Sequence, residues 1–156
     1  MAELVRQQEL DVEVDFYGFA LQDVDDTQVP VGYPEGREAG RAFLTAREAR
    51  LDIESAGHTH TATLSAEVWD GEPPAADGRG EWEERAEAQF RCASGELAIW
   101  AVTGGPMDTC LRLSDTGGSW RARVYCEGRA EVRRAAEAGV PEGIEHYLVQ
   151  FWPATA

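Results

Sequence analysis

The chain has 156 residues, a length that fits one domain and can bury roughly two-thirds of the surface exposed in the unfolded chain. Asp and Glu together number 29 against 14 basic residues, which gives a formal net charge of -15. This charge repels nucleic acid and anionic membranes, because both are bound through Lys and Arg side chains. It would attract a basic protein and speed its capture, although a solvated acidic surface without a partner would have the same composition.

All of the permanently basic residues are Arg, and the chain contains no Lys and no Asn. Arg codons are rich in G and C, whereas Lys and Asn codons are rich in A and T. This usage is typical of a high-GC genome, such as that of an actinobacterium. Some of the Glu and Arg content would then follow from the genome and not from function.

The three cysteines, Cys92, Cys110 and Cys126, form an odd set without C-x-x-C spacing, which argues against a disulfide framework. The first residues show no apolar segment typical of a secretory signal. No apolar run reaches the length of a membrane span. The cytoplasm is therefore the expected location, and no membrane contact is expected.

The first predicted strand covers residues 10–16, where apolar side chains alternate with carboxylates. After Gly18 the apolar phase shifts, and a β-bulge would explain the shift. Residues 23–40 are rich in Asp, Pro and Gly and are predicted to form a loop. A short helical turn is expected over residues 41–49, followed by a strand over residues 50–54.

Residues 58–69 alternate again and predict a strand with His58 and His60 on one face. The following stretch, residues 70–80, is predicted to be a mobile loop rich in turn residues. The remaining strands are predicted over residues 84–92, 97–102, 111–113, 120–126 and 145–153. An Ala-rich helix is predicted near residues 129–139, ended by Gly139.

Short strands separated by Gly and Pro turns predict a mainly β fold. We expect an antiparallel β-sandwich, or a flattened barrel, of about eight strands with one short helix. A single domain of this kind would span residues 1–156. No Gly-rich phosphate motif is present, and no cofactor is expected.

Metal binding and catalysis have weak support in the sequence. Two histidines on one strand face, His58 and His60, could begin a zinc site, but a third ligand is not evident, and half-buried histidines usually form hydrogen bonds only. Cys92 and Cys126 are predicted to point inward, where a cysteine is an inert small apolar side chain. No catalytic residue is predicted, and the protein is not expected to be an enzyme.

Acidic residues gather in three clusters that could bind a partner. The first is Asp11, Glu13 and Asp15 on the first strand, the second is Asp23, Asp25 and Asp26 in the loop, and the third is Glu81, Glu83, Glu84 and Glu87. Trp82 lies inside the third cluster and is a candidate aromatic anchor. Rows of carboxylates can imitate DNA phosphates in a basic cleft, whereas the alternative is a solvated face without a partner.

Several segments resemble the competence protein J family in their order along the chain. They are ELDVEVDFYGFAL, the GRAF and LDIES segments that begin at Gly40 and Leu51, the strand through residues 61–69 and the terminal HYLVQFWP. Residues 70–87 look like an insertion or a divergent segment. The family comprises small bacterial β-sandwich proteins described as nuclease inhibitors. The resemblance implies a protein that caps the active site of a DNA nuclease, presents carboxylates to its Lys and Arg groove, and competes for its divalent metal.

Two other functions remain open from the sequence. A structural or regulatory interaction domain would bind through an apolar patch around Trp82, Tyr33 or Trp152, with its acidity incidental. A small-molecule-binding β-sandwich would need a deep apolar pocket. The oligomeric state is not predictable from these patterns.

Overall fold

A computed structural model describes residues 1–30 and 42–154. These ranges contain ten β-strands, one α-helix and one short 3-10 turn at Asp26–Gln28. The strands and the helix have the bounds β1 Leu4–Val14, β2 Gly18–Asp23, β3 Leu44–Arg47, β4 Arg50–Glu54, β5 His60–Trp69, β6 Glu84–Cys92, β7 Glu96–Ala101, β8 Gly105–Arg112, β9 Gly118–Glu127, α1 Arg129–Ala135 and β10 Glu142–Pro153.

The strands form two five-stranded sheets that pack face to face. Sheet A has the order β1-β5-β10-β9-β6, and sheet B has the order β3-β4-β2-β7-β8. All neighbouring strands are antiparallel except β5 and β10, which run parallel. The predicted β-sandwich is therefore confirmed, and the two sheets do not close into a barrel.

Alternating side chains build the core between the sheets. Val12, Leu64 and Val149 point inward from sheet A, and each is fully buried. Leu21 and Ile99 face them from sheet B and are also fully buried. Each such side chain contributes about 1.5–3 kcal/mol relative to an exposed position, so the apolar stripe fixes which face of every strand points outward.

The helical turn expected over residues 41–49 is wrong in its described part. Residues Leu44–Arg47 form β3, an edge strand that pairs antiparallel with β4. So short a segment gains little from helical hydrogen bonds, whereas pairing with an existing strand satisfies its backbone. Arg41 and Tyr33, like most of the predicted 23–40 loop, lie outside the described residues.

A tight turn, and not a bulge, shifts the apolar phase near Gly18. β1 belongs to sheet A and β2 to sheet B, so the chain crosses between the sheets at this point. Asp15 and Gly18 form an isolated antiparallel bridge that closes the turn. Phe16 and Tyr17 occupy its centre, with φ angles of 49° and 63°.

The helix α1 begins at Arg129 as predicted but ends at Ala135, four residues before Gly139. Its Val132 is fully buried against the sandwich. No helix within residues 1–30 and 42–154 is long and apolar enough to cross a membrane.

Candidate functional site

Three carboxylates line the outer face of β1 and are called the ladder: Glu9, Asp11 and Glu13. All three side chains are exposed, while Leu10 and Val12 between them point toward the core. Residues two apart on a strand point the same way, so successive carboxylates are spaced about 6.8 Å along the strand. Within the described residues β1 is an edge strand paired with β5 alone, so the ladder borders the open edge of sheet A.

No side chain in the described part of the molecule forms an ion pair or hydrogen bond with a ladder carboxylate. The residues opposite them on β5 are Ser65, Thr63 and Thr61, which carry no charge. No ion pair within the described residues therefore neutralises the ladder. Glu9 was not predicted as part of this row. The residues before Leu10 do not alternate between apolar and polar side chains, so the sequence did not indicate that β1 begins at Leu4.

Asp15, predicted as the third member of this row, has a different role. Its carboxylate accepts hydrogen bonds from the backbone N–H of Thr103, at 3.1 Å, and from the Thr103 hydroxyl. These bonds tie the end of β1 to the turn between β7 and β8. Asp15 therefore stands apart from the exposed ladder.

The second acidic cluster contains one buried and two exposed carboxylates. Asp23 is buried and accepts hydrogen bonds from the Ala93 backbone N–H and the Ser94 hydroxyl, each at 2.6 Å. Asp25 is exposed and caps the 3-10 turn, and hydrogen bonds from the hydroxyl and backbone N–H of Thr27 lower its pKa. Asp26 is exposed within the turn. Asp23 thus holds two loops together and presents no surface to a partner.

Two of the four carboxylates of the third cluster bind partners within the molecule. The Glu83 carboxylate accepts hydrogen bonds from the backbone N–H groups of Arg129 and Ala130, at 2.9 and 3.1 Å, and so caps α1 from outside the helix. Glu87 pairs with Arg121 at 2.9 Å and with Arg123 at 3.2 Å. Burial alone would raise the pKa of Glu87, but these hydrogen bonds outweigh it and lower the pKa. Glu81 and Glu84 remain exposed.

Trp82 is a half-buried internal contact in this structure. Its indole N–H donates to the Ala76 carbonyl at 2.7 Å, and its ring lies 5.2 Å from that of Tyr125. Ala76, Tyr125 and Leu148 form a small second core with it. The ring therefore fastens residues 70–83 to the outer face of sheet A.

Residues 70–83 form a strap that covers one side of the outer face of sheet A. Arg79 pairs with the buried Glu67 on β5 at 2.6 Å, and Arg123 donates to the Pro73 carbonyl. Burial opposes ionisation of Glu67, yet the hydrogen bonds from Arg79, Trp69 and Gln150 lower its pKa. The stretch lacks helix and strand, as predicted, but it is anchored at several points.

The two histidines do not share a face. β5 begins at His60, which is buried, whereas His58 precedes the strand and is exposed. The alternation that suggested a common face therefore fails at its first residue. Among the residues that the structure describes, no group of three His, Cys, Asp or Glu side chains could hold a metal ion.

His60 instead belongs to a buried polar network that the sequence did not reveal. Its Nε2 lies 2.7 Å from the Ser55 hydroxyl, which donates to Glu145 Oε1 at 2.6 Å. Tyr147 donates to the same oxygen at 2.6 Å, and the Ala56 backbone N–H donates to Oε2 at 3.0 Å. The His60 and Glu145 side chains are 0% exposed, so no substrate reaches the serine. The network joins the residues after β4 to β5 and β10, and we call it the structural lock.

The cysteines are free, and Cys92 and Cys126 are buried as predicted. Burial raises the pKa of the Cys92 thiol to about 11 and also raises the pKa of the Cys126 thiol. Neither forms a thiolate near neutral pH, which makes both unsuited to nucleophilic attack.

No family model and no curated protein sequence matches the chain. Two solved structures are similar along 99% of this chain and 99% of their own. ComJ from Bacillus subtilis, described as an inhibitor of the DNA degrading activity of NucA, superposes with a TM-score of 0.62 at 14% sequence identity. The product of crocagin biosynthetic gene J superposes with a TM-score of 0.54 at 12% identity. The resemblance to competence protein J is therefore confirmed at the level of the fold.

Proposed function

We propose that the chain is a binding protein that inhibits a DNA nuclease by placing the ladder of Glu9, Asp11 and Glu13 in its basic groove. The observation that carries this proposal is the row of exposed carboxylates without a cationic partner in the described part of the chain. The net charge of -15 supports it, and so does the fold shared with ComJ.

The physical basis is competition with DNA. A nuclease binds DNA phosphates through Lys and Arg, and a regular row of carboxylates on a paired strand offers the same cations an alternative anion. β1 is already ordered by its backbone pairing with β5, so little conformational entropy is lost on docking. Opposite charges on the two proteins would also accelerate their encounter.

We assign binding and not catalysis to this protein. The buried thiols of Cys92 and Cys126 and the closed Ser55 network support that assignment. The charge disfavours nucleic acid and anionic membranes as ligands. Three free cysteines support a reducing compartment, such as the cytoplasm.

The alternative of an apolar docking patch has less support from the described residues. Trp152 is 4% exposed, and Trp82 is fixed against Tyr125 by the strap. The groove beside Trp82, about 650 Å³ in volume, is lined mainly by Asp77, Glu81, Glu83, Glu84 and Arg85. This charged lining does not suit an apolar small molecule.

Inhibition is expected to weaken steeply as salt is added. The purified chain would be titrated into each purified DNA nuclease of the organism that encodes it, and into NucA, at about 50 mM and about 500 mM salt, because the Debye length shortens over this range. We expect the inhibition constant to rise about tenfold or more, since exposed charges are screened.

Nuclease activity without the chain, measured at each salt concentration, is the control for direct effects of salt on the enzyme. Equal inhibition constants at low and high salt would contradict an electrostatic interface. Failure to inhibit any of these nucleases would contradict the proposed function itself.

A further inference from the structure

Two aromatic side chains project from the tight turn that follows the ladder. Phe16 is 47% exposed and Tyr17 is 49% exposed, although rings of this size are usually well buried. His58 lies between them, with ring centroids 4.9 Å from Phe16 and 5.1 Å from Tyr17. These three rings are called the aromatic tip.

The turn is built from residues that its backbone disfavours. Positive φ at both central positions is typical of a type I′ turn, which favours Asn followed by Gly. Phe16 and Tyr17 occupy these positions with φ of 49° and 63°, where bulky side chains are rare and strained. Strain of this kind at Tyr17, whose half-exposed ring lies outside both apolar clusters, points to a role outside the core.

The tip is held in place by backbone hydrogen bonds. Tyr17 N–H donates to the His58 carbonyl at 3.1 Å, and Ser55 N–H donates to the Tyr17 carbonyl at 2.8 Å. Ser55 in turn belongs to the buried network of Glu145. Exposed rings on a fixed backbone lose little freedom on binding, which suits them to act as anchors at a protein interface.

The turn that carries Phe16 and Tyr17 directly follows the strand that carries the ladder. Glu13 stands three residues before Phe16, and its neighbour across the sheet is Thr61, three residues after His58. An aromatic ring beside unpaired carboxylates suits one kind of partner surface: arginine side chains, whose planar cations stack on rings and pair with carboxylates. Charge complementarity thus argues for the same basic protein that the ladder would bind.

We propose that the aromatic tip, led by Tyr17, anchors the ladder face to its basic protein partner by stacking on the partner's arginine and apolar side chains. This inference rests on the proposed function and identifies a second half of the same interface. The ladder steers the encounter, and the tip holds the complex.

The test replaces Phe16→Asn and Tyr17→Gly together, because this pair suits the turn and removes both rings. The melting temperature is expected to rise by about 2–4 °C as strain is relieved. The affinity for the nuclease that the wild-type chain inhibits is expected to fall about tenfold or more, chiefly through faster dissociation. Tyr17→Phe, which keeps the ring, is the matched control and should bind within about threefold of wild type.

An unchanged affinity in the Asn-Gly variant would overturn the proposed role of the aromatic tip and leave the proposed function intact. A fall in both affinity and melting temperature would also overturn it, since the rings would then serve the fold. If the wild-type chain inhibits neither NucA nor any nuclease of its source organism, both proposals fail together.

Discussion

Replacement of Glu145 by Ala is expected to lower the free energy of unfolding by about 3–5 kcal/mol, because it removes the centre of a buried network. Donors on Ser55, Tyr147 and Ala56 would lose their acceptor, and buried donors without an acceptor are costly. The nearby Arg129, 3.7 Å away, would lose a counter-charge. Thermal unfolding should show a decrease in melting temperature of roughly 6–20 °C.

The matched control is Glu142→Ala, which removes an exposed carboxylate from the same strand and is expected to change stability by less than about 0.5 kcal/mol. Equal effects of the two substitutions would contradict the structural lock.

The dependence of stability on acid pH provides a second test of this network. Burial alone would raise the pKa of Glu145, but hydrogen bonds from His60, Ser55 and Tyr147 lower it below the ordinary 4.5.

The lowered pKa determines the direction of the acid effect. The unfolded chain binds the proton more readily, so the carboxylate stabilises the fold fully above about pH 4.5 and this contribution is lost as pH falls further. Glu145→Gln has no such proton to bind. Between about pH 6 and about pH 3, the wild-type melting temperature should therefore fall more than that of the variant.

Charge reversal of the whole ladder, with Glu9, Asp11 and Glu13 all changed to Arg, is expected to raise the inhibition constant about 100-fold or more. Like charges would then face the basic partner, which costs several kcal/mol and slows the encounter. The association rate should fall more than the dissociation rate rises, and surface-immobilised nuclease would report both. The fold should persist, since no described residue pairs with these side chains.

A control with the same charge tests whether position matters. Glu48, Glu131 and Glu137 are also exposed and lie away from β1, in the turn between β3 and β4 and at α1. Their reversal to Arg changes the net charge by the same amount, three reversals of two units, from -15 to -9. Comparable losses in the two variants would show that total charge governs binding and would remove the ladder from the interface.

Much of the fold could be predicted because burial imposes a period of two on strands. Residues 84–92 alternate cleanly, and β6 has these same bounds. β3 could not be predicted from the sequence, because a four-residue edge strand forms mainly through its pairing with a neighbouring strand, here β4. The parallel pairing of β5 with β10 depends on long-range topology, and no local pattern encodes it.

The candidate site was only partly predictable, for a related reason. Alternation alone shows that Asp11 and Glu13 point outward, and they remain in the ladder. Asp23 and Glu83 also look like surface carboxylates, yet each accepts hydrogen bonds from a distant segment: Asp23 from Ala93, 70 residues away, and Glu83 from Arg129, 46 residues away. Sequence composition gives the number of carboxylates, whereas tertiary contacts decide which of them stay free.

The location of the partner can be measured by hydrogen–deuterium exchange of the wild-type chain, alone and bound to the nuclease that it inhibits. Docking on the ladder and the aromatic tip should slow amide exchange in residues 9–17, while α1 and β6 exchange as in the free protein. Protection of the strap or α1, with residues 9–17 unchanged, would place the partner elsewhere and contradict the proposed interface.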